Sequence, residues 1–383
     1  MTKKKIITIV GARPQIIKAS AISRAIDLFY KQQLEEIIVH TGQHYDENMS
    51  DIFFKELGIP NPSYNINVGS GRHGKQTAKM IDGIEEILIK ENPDAVILYG
   101  DTNSTIAGAL AASKIHIPVV HIEAGLRSFN KKMPEEINRI ACDHMSSLLF
   151  SPTKQGIINL KKEGFQTNFE GKASLDQPHI YHCGDIMLDN SMYFGAEEES
   201  EDNILKNNGL EKNTYILCTI HRDSNTDIEQ NLSDILKAML SCQEETKMKL
   251  VLPLHPRTKA KIEQLQNQAL VAKVVNNPNF ILLPPAGFKD IIVLEKNTRL
   301  IITDSGGLQK EAYFFKKPCV ILREQTEWVE IVQNGNAVLT GANYQKIKDA
   351  VAGLLSKKDF SYPELFGDGH AGKFICSKIL SDL

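Results

Sequence analysis

Asp304-Ser305-Gly306-Gly307-Leu308-Gln309-Lys310-Glu311 decides the reading of this chain. It follows Arg299-Leu300-Ile301-Ile302-Thr303, an apolar run of strand length. It precedes a segment that Lys316-Lys317-Pro318 stops as a helix is stopped. Two glycines therefore stand where a strand hands over to a helix. There a backbone can approach a ligand closely, and unpaired helix N–H groups gather. Ser305, Gly306 and Gly307 form a candidate phosphate site. Glu311 lies about one helical turn further on. A carboxylate there can grip a ribose diol. The plainer alternative is a Gly-rich turn that binds nothing.

Outward from this stretch, short apolar runs alternate with longer amphipathic ones. Residues 6–10, 37–41, 95–99, 119–122 and 148–150 read as one set of strands. Residues 215–219, 249–253, 280–283, 300–303 and 319–322 read as a second. Between them lie helical patterns such as 76–91, with Met80, Ile84, Ile87 and Leu88 on one face, and 105–114. Strand–helix alternation predicts parallel sheets covered on both faces. Two sets predict an α/β chain of two Rossmann-like, doubly wound domains, 1–184 and 185–383. Ligands of such sheets bind at the carboxyl ends of the strands.

The length of 383 residues suits two cores better than one. A net charge of -3 argues against a nucleic-acid partner. No stretch approaches a membrane span, and residues 1–5 lead straight into a strand, so the cytoplasm is expected. None of the six cysteines forms a CxxC pair or metal-finger spacing, and free, buried thiols are expected. The acidic run 197–202 reads as a solvated face.

Gly11-Ala12-Arg13-Pro14-Gln15-Ile16-Ile17-Lys18 follows the first strand. It is neither a Walker loop nor a GxGxxG fingerprint, so no nicotinamide cofactor is expected. Arg13 and Lys18 are candidate phosphate-binding cations, or else merely exposed cations at a helix start. Tyr99-Gly100-Asp101-Thr102 again closes a strand, and Asp101 is either a helix cap or an acid or base. Glu123 ends the next strand in His121-Ile122-Glu123-Ala124-Gly125-Leu126-Arg127. Glu135 stands in the first turn of Pro134-Glu135-Glu136-Ile137-Asn138-Arg139, where an acid can also serve only the helix dipole. Clustered acids raise each other's pKa and suit acid–base work. In the second set, His221 and His255 end successive strands, each beside an arginine. Arg323 follows the strand ending at Leu322, ahead of Trp328, the single tryptophan. Packing at a hinge is the alternative role for that tryptophan.

Together these segments resemble the non-hydrolysing UDP-N-acetylglucosamine 2-epimerases, nearly end to end and in that family's order. Residues 11–18 resemble its Gly-Thr-Arg-Pro-Glu-x-Ile-Lys, and 99–105 its Gly-Asp-Thr. Residues 121–127 resemble its Glu-Ala-Gly-Leu-Arg, 134–139 its Pro-Glu-Glu-x-Asn-Arg, and 302–311 its Thr-Asp-Ser-Gly-Gly-x-Gln-x-Glu. Ala12, Gln15, Ser224 and the Thr326-Glu327-Trp328-Val329-Glu330 run depart from the usual pattern. They look more like the branch acting on UDP-2,3-diacetamido-2,3-dideoxy-glucuronic acid.

The resemblance implies a glycosyltransferase-B-like pair of domains with a UDP-sugar in the cleft between them. It implies a last helix crossing back to the first domain, no cofactor, no metal and a homodimer. It implies anti elimination of UDP, a 2-acetamidoglucal intermediate and re-addition. Catalysis would fall to Asp101, Glu123, Glu135 and His221. Arg13, Lys18, His255, Ser305, Gly306, Gly307, Glu311 and Arg323 would hold the substrate. Acids would gather in the first domain and cations in the second. Gln43, His44, Arg72 and Gln76 resemble residues lining a second, activating UDP-N-acetylglucosamine site. Tyr45-Asp46-Glu47 departs from the usual basic continuation there, so a partial or absent requirement is expected. A hydrolysing epimerase and a glycosyltransferase of the same fold are the competing readings.

Overall fold

A computed structural model describes residues 3–42, 54–167, 170–197 and 201–383. The chain divides into two compact units. The first takes Met1–Asn190 together with Glu364–Leu383, and the second takes Ser191–Pro363.

The first unit is built on seven parallel strands. They are β1 (Lys4–Val10), β2 (Leu34–His40), β3 (Tyr64–Asn65), β4 (Ala95–Tyr99), β5 (Val119–Ile122), β6 (Leu148–Ser151) and β7 (His179–His182). Their order is β3-β2-β1-β4-β5-β6-β7. All of β4 and β5 and most of β1 are buried, as a sheet covered on both faces requires. On one face Ile7, Ile9, Val96 and Leu98 pack against Met80, Ile84 and Leu88 of helix His73–Glu91. Alanines of helix Asn103–Lys114 complete that layer. The last helix, Ala371–Asp382, belongs to this unit. Asp189 accepts from the N–H groups of Ala371 (3.1 Å) and Gly372 (2.8 Å) and so caps it.

The second unit has six parallel strands in the order β10-β9-β8-β11-β12-β13. They are β8 (Tyr215–Thr219), β9 (Lys249–Pro253), β10 (Phe280–Leu283), β11 (Leu300–Thr303), β12 (Cys319–Ile321) and β13 (Ala337–Leu339). Its core joins Ile216, Leu250, Leu252, Leu300 and Ile302 to Leu232, Leu236 and Met239 of helix Glu229–Thr246.

Both sheets are wound in two directions from a central pair. The order reverses between β1 and β4 in the first and between β8 and β11 in the second. Such switch points open a crevice at the strands' carboxyl ends. Segments 11–18 and 99–105 leave the first pair, and segments 219–222 and 304–311 leave the second. Three strands escaped the sequence reading: β3, β7 and β13. Each is a sheet edge with one neighbour. Among the described residues no helix is long and apolar enough to cross a membrane.

Candidate active site

At the first switch point the turn after β1 is tight. A Cβ on Gly11 would lie 2.1 Å from Ser104 Oγ and 2.2 Å from Thr41 Oγ1, so only glycine fits. Gln15 is buried and clamps the two strand ends together. Its Nε2 donates to the Tyr99 carbonyl (3.0 Å) and to Thr105 Oγ1 (3.1 Å). Its Oε1 accepts from the N–H groups of Gly11 (3.0 Å) and Ala12 (3.2 Å). An ionised glutamate could not donate the first two bonds. The departure at position 15 is thus a neutral brace. Arg13, exposed, is the first residue of helix Arg13–Ala25.

Lys18, one turn into that helix, forms a nearly buried ion pair with Glu123. Glu123 has φ of 73°, a strained value for a glutamate, and so breaks the strand direction just past β5. Asp101 sits beside Arg139, whose Nη2 is 2.7 Å from its carboxylate. Arg139 Nη1 binds Glu136 at 2.7 Å. Glu136 in turn accepts from the N–H groups of Ser128 and Phe129, each at 2.9 Å. The two neighbouring acids therefore divide their duties. Glu136 is buried and wholly engaged, while Glu135 is exposed and acts on Asp101 through space.

Burial raises the Asp101 pKa above the usual carboxylate range. Arg139 and Lys18 oppose that shift, and Glu123 and Glu135 add to it. Behind this layer His121 lies fully buried between the Gly100 carbonyl (2.8 Å) and Asp143 (2.7 Å). An acceptor on each ring nitrogen requires the imidazolium. Burial alone would lower its pKa, but Cys142 and Asp143 outweigh it and the net shift is upward.

One expectation needs correction here: the cations are not confined to the second unit. Lys18 and Arg139 stand among the first unit's acids, because buried carboxylates left unpaired would cost too much.

At the second switch point His221 follows β8 and its Nδ1 lies 3.0 Å from Asp304. Asp304 is fully buried. It accepts from the N–H of His221 (3.1 Å), the N–H of Arg222 (3.0 Å) and Asn225 Nδ2 (3.0 Å). Burial opposes ionisation, but His221 and Asn225 prevail and hold Asp304 below the usual range. With Nδ1 facing Asp304, Nε2 is the nitrogen left for a ligand, on a ring 47% exposed.

Ser305 caps helix Gly306–Phe314, its Oγ accepting from the Leu308 N–H. A Cβ on Gly306 or Gly307 would meet nothing closer than 3.8 and 3.6 Å. Unlike Gly11, these glycines are not demanded by the protein's own packing. They leave room where an anion would approach the helix start. Arg323 lies beside Gly306 and chelates Glu327 through two bonds of 2.9 Å. Trp328 Nε1 donates to the Gly306 carbonyl at 2.9 Å, and the Lys310 ammonium stands 4.5 Å over its ring. Trp328 thus ties its loop to the glycine turn. Glu311 is buried, its Oε2 3.6 Å from the Gly307 Cβ position.

His255 is exposed and its Nδ1 accepts from the Arg257 N–H at 3.3 Å, capping helix Pro256–Glu263, which leaves Nε2 for a ligand. Arg257 pairs with Asp223 and Asp227 on the surface. Gln43 and His44 lie outside the described residues. Arg72 is exposed, and Gln76 is bound to the Gly69 carbonyl and Asn103, each at 2.8 Å.

Sequence reasoning missed Arg139, Asp304 and the His121–Asp143 pair as site residues. All stand inside the quoted motifs or one helix away. Their signal was a charged residue at a position the topology buries.

The sequence model for UDP-N-acetylglucosamine 2-epimerase matches residues 27–380. A UDP-N-acetylglucosamine 2-epimerase homolog of Methanococcus maripaludis is 48% identical over 368 residues, 96% of this chain and 97% of its own. The UDP-2,3-diacetamido-2,3-dideoxy-D-glucuronate 2-epimerase of Pseudomonas aeruginosa is 47% identical over 371 residues, 97% of this chain and 98% of its own. The crystal structure of Methanocaldococcus jannaschii UDP-GlcNAc 2-epimerase in complex with UDP-GlcNAc and UDP matches with a TM-score of 0.83 at 40% identity. It covers 97% of this chain and 98% of that one. With two glycosyltransferase-B-like units and the family's motifs at both switch points, this chain belongs to the UDP-N-acetylglucosamine 2-epimerase family.

Proposed function

We propose that this enzyme epimerises C2 of a UDP-linked 2-acetamido sugar by anti elimination and re-addition of UDP. The observation that carries the reading is the contrast between the two switch points. One holds an acid raised toward protonation among other acids. The other holds an oriented histidine beside an open helix start.

A C2 proton next to an acetamido carbon is weakly acidic, so its removal needs a placed base. Asp101 and Glu123 supply the acid–base pair, with Glu135 as partner. Two groups are the minimum, because the returning proton enters on the opposite face of the ring. Arg13, Lys18 and His221 meet the charge that grows on the departing diphosphate. His255 and Arg323 line the same substrate. Ser305, Gly306 and Gly307 hold phosphate and Glu311 holds ribose. Closure over the substrate keeps water from the glucal intermediate.

The sugar is UDP-N-acetylglucosamine or its 2,3-diacetamido uronic acid analogue. The departures at Gln15, Ser224 and Trp328 favour the second, while identity does not separate them: 47% to the Pseudomonas enzyme against 48% to the Methanococcus UDP-N-acetylglucosamine 2-epimerase homolog. We read the protein further as a cytoplasmic homodimer acting without cofactor, with UDP-N-acetylglucosamine activation at Gln43, His44, Arg72 and Gln76 partial or absent. Six cysteines outside any disulfide suit a reducing compartment. Proton NMR in deuterated water with each UDP-sugar tests the reading. It expects the C2 epimer and deuterium at C2. Free sugar with UDP would instead mark a hydrolysing enzyme.

A further inference from the structure

The two turns that carry the assigned acids both leave the strand conformation. Gly100, just before Asp101, has φ of 60°, and Glu123 and Gly125 have φ of 73° and 78°. A glutamate in that region persists only where its surroundings over-determine it. One buried pair reaches both turns. His121 Nε2 donates to the Gly100 carbonyl at 2.8 Å, and its Nδ1 donates to Asp143 Oδ1 at 2.7 Å. The other oxygen of Asp143 accepts from the Gly125 N–H at 3.1 Å and lies 2.8 Å from Arg127 Nη2. His121 and Asp143 are fully buried, so neither reaches a ligand. Asp143 stands on helix Pro134–His144, which also holds Asp101. From that helix Asn138 Nδ2 donates to the Asp101 carbonyl at 2.9 Å, and Arg139 pairs with its carboxylate. The two turns also touch. A Cβ on Gly100 would lie 3.2 Å from Glu123 Oε2 and 3.3 Å from Lys18 Nζ. A shift of the Gly100 peptide therefore disturbs Glu123 and Lys18 as well as Asp101.

We infer that His121 and Asp143 are positioning residues for C2 chemistry: their hydrogen bonds to Gly100 and Gly125 fix the turns bearing Asp101 and Glu123 against each other. This rests on the assignment of those two acids given above. A histidine that merely filled the core could be replaced by a ring of its size without cost to turnover in the folded enzyme. A histidine that aims two acids could not, since a misplacement of about 1 Å at reacting groups costs about a hundredfold.

The test is steady-state kinetics and C2 deuterium exchange of the full-length enzyme with the UDP-sugar that wild type turns over, alongside calorimetric titration with UDP. H121F fills the ring space without a donor, and D143N leaves one oxygen for three donors. Both are assayed well below their unfolding midpoints. Each should lose about 30- to 100-fold in kcat and in C2 exchange, with KM and UDP affinity within about threefold of wild type. H121Q, which keeps an N–H donor, should fall between H121F and wild type. Wild-type kcat in folded H121F or D143N overturns the inference. So does a loss that falls equally on kcat and on UDP affinity, which marks a general role in folding. Nitrogen NMR of histidine-labelled wild type reads the pair without any variant. Both ring nitrogens of His121 protonated at pH 8 support the inference, and a ring with one proton overturns it. Wild type exchanging C2 with none of the UDP-sugars would overturn the epimerase reading itself, and this inference with it.

Discussion

At the switch point of the first sheet Asp101 is held above the usual carboxylate range; at that of the second, Asp304 is held below it. Both stand one or two residues past a central strand of a doubly wound parallel sheet. Both touch a cationic or protonatable partner, Arg139 in one case and His221 in the other. What differs is hydrogen bonding. Backbone N–H groups and an amide converge on the Asp304 carboxylate and stabilise its charge. Asp101 has Arg139 and, through space, Lys18 against burial and two neighbouring acids. One fold feature, used twice, thus gives an acid able to exchange a proton and an acid fixed as an anion. The first suits chemistry at carbon, and the second suits orienting a histidine toward a leaving diphosphate.

The largest expected effect comes from removing proton transfer while keeping shape. D101N and E123Q should each lower turnover by about three decades or more. Their UDP affinity should stay within a few fold of wild type, because the groups assigned to ground-state phosphate and ribose binding, Ser305 to Gly307 and Glu311, lie on the second unit. Steady-state assays paired with calorimetry decide this. Loss of UDP binding in either variant would break the division of labour between the two sheets.

R13A and H221A should come next. Losing a contact that strengthens as UDP departs should cost about 2–4 kcal/mol, or about two to three decades in kcat. Wild-type-like turnover in either would sink the phosphate assignment. D304N should follow at about one to two decades, since it releases the His221 ring from its orientation. It should also destabilise the second unit by about 1–3 kcal/mol, because a buried acceptor set is left mismatched.

The opposite pKa shifts make opposite pH signatures. Asp101, raised in the folded state, contributes stability that is present below its unfolded value of about 4. That contribution is lost as pH rises through the folded value. Asp304, lowered, contributes stability present above about 4 and lost as pH falls through its folded value. Denaturant unfolding across pH should therefore show D101N gaining on wild type as pH rises. D304N should approach wild type as pH falls below about 4. Parallel curves for the two variants would erase the contrast. The smallest effect should be that of W328F, which removes only the indole bond to the Gly306 carbonyl. UDP affinity should fall by roughly 1 kcal/mol, or a few fold.

The central strands were legible because both of their faces are largely buried and most of their residues are apolar. β4, β5, β8, β9 and β11 lie where the apolar runs stood, as does the apolar edge strand β10. β3, β7 and β13 were not legible. An edge strand has one partner and tolerates residues such as His179 and His182. The candidate site residues could be picked from strand ends, since topology brings those ends together. The residues behind them were not. Whether Glu135 or Glu136 is engaged by Arg139 depends on helix phase, and whether His221 meets Asp304 depends on strand order. Neither is written in local sequence. His255 differs from His221 in a way its motif does not show: its Nδ1 caps its own helix instead of facing a buried carboxylate.

The most direct test of the central claim is C2 deuterium incorporation, followed by proton NMR in deuterated water with the UDP-sugar substrate. Wild type should incorporate solvent deuterium at C2 while forming the epimer. D101N, E123Q and E135Q should be compared under conditions where each is saturated with substrate. D101N and E123Q should bind UDP yet exchange C2 slower than wild type by about three decades, with E135Q between them and wild type. Exchange at the wild-type rate in all three amide variants would contradict it. The base would then have to lie on the second unit, with His221 the first residue to examine.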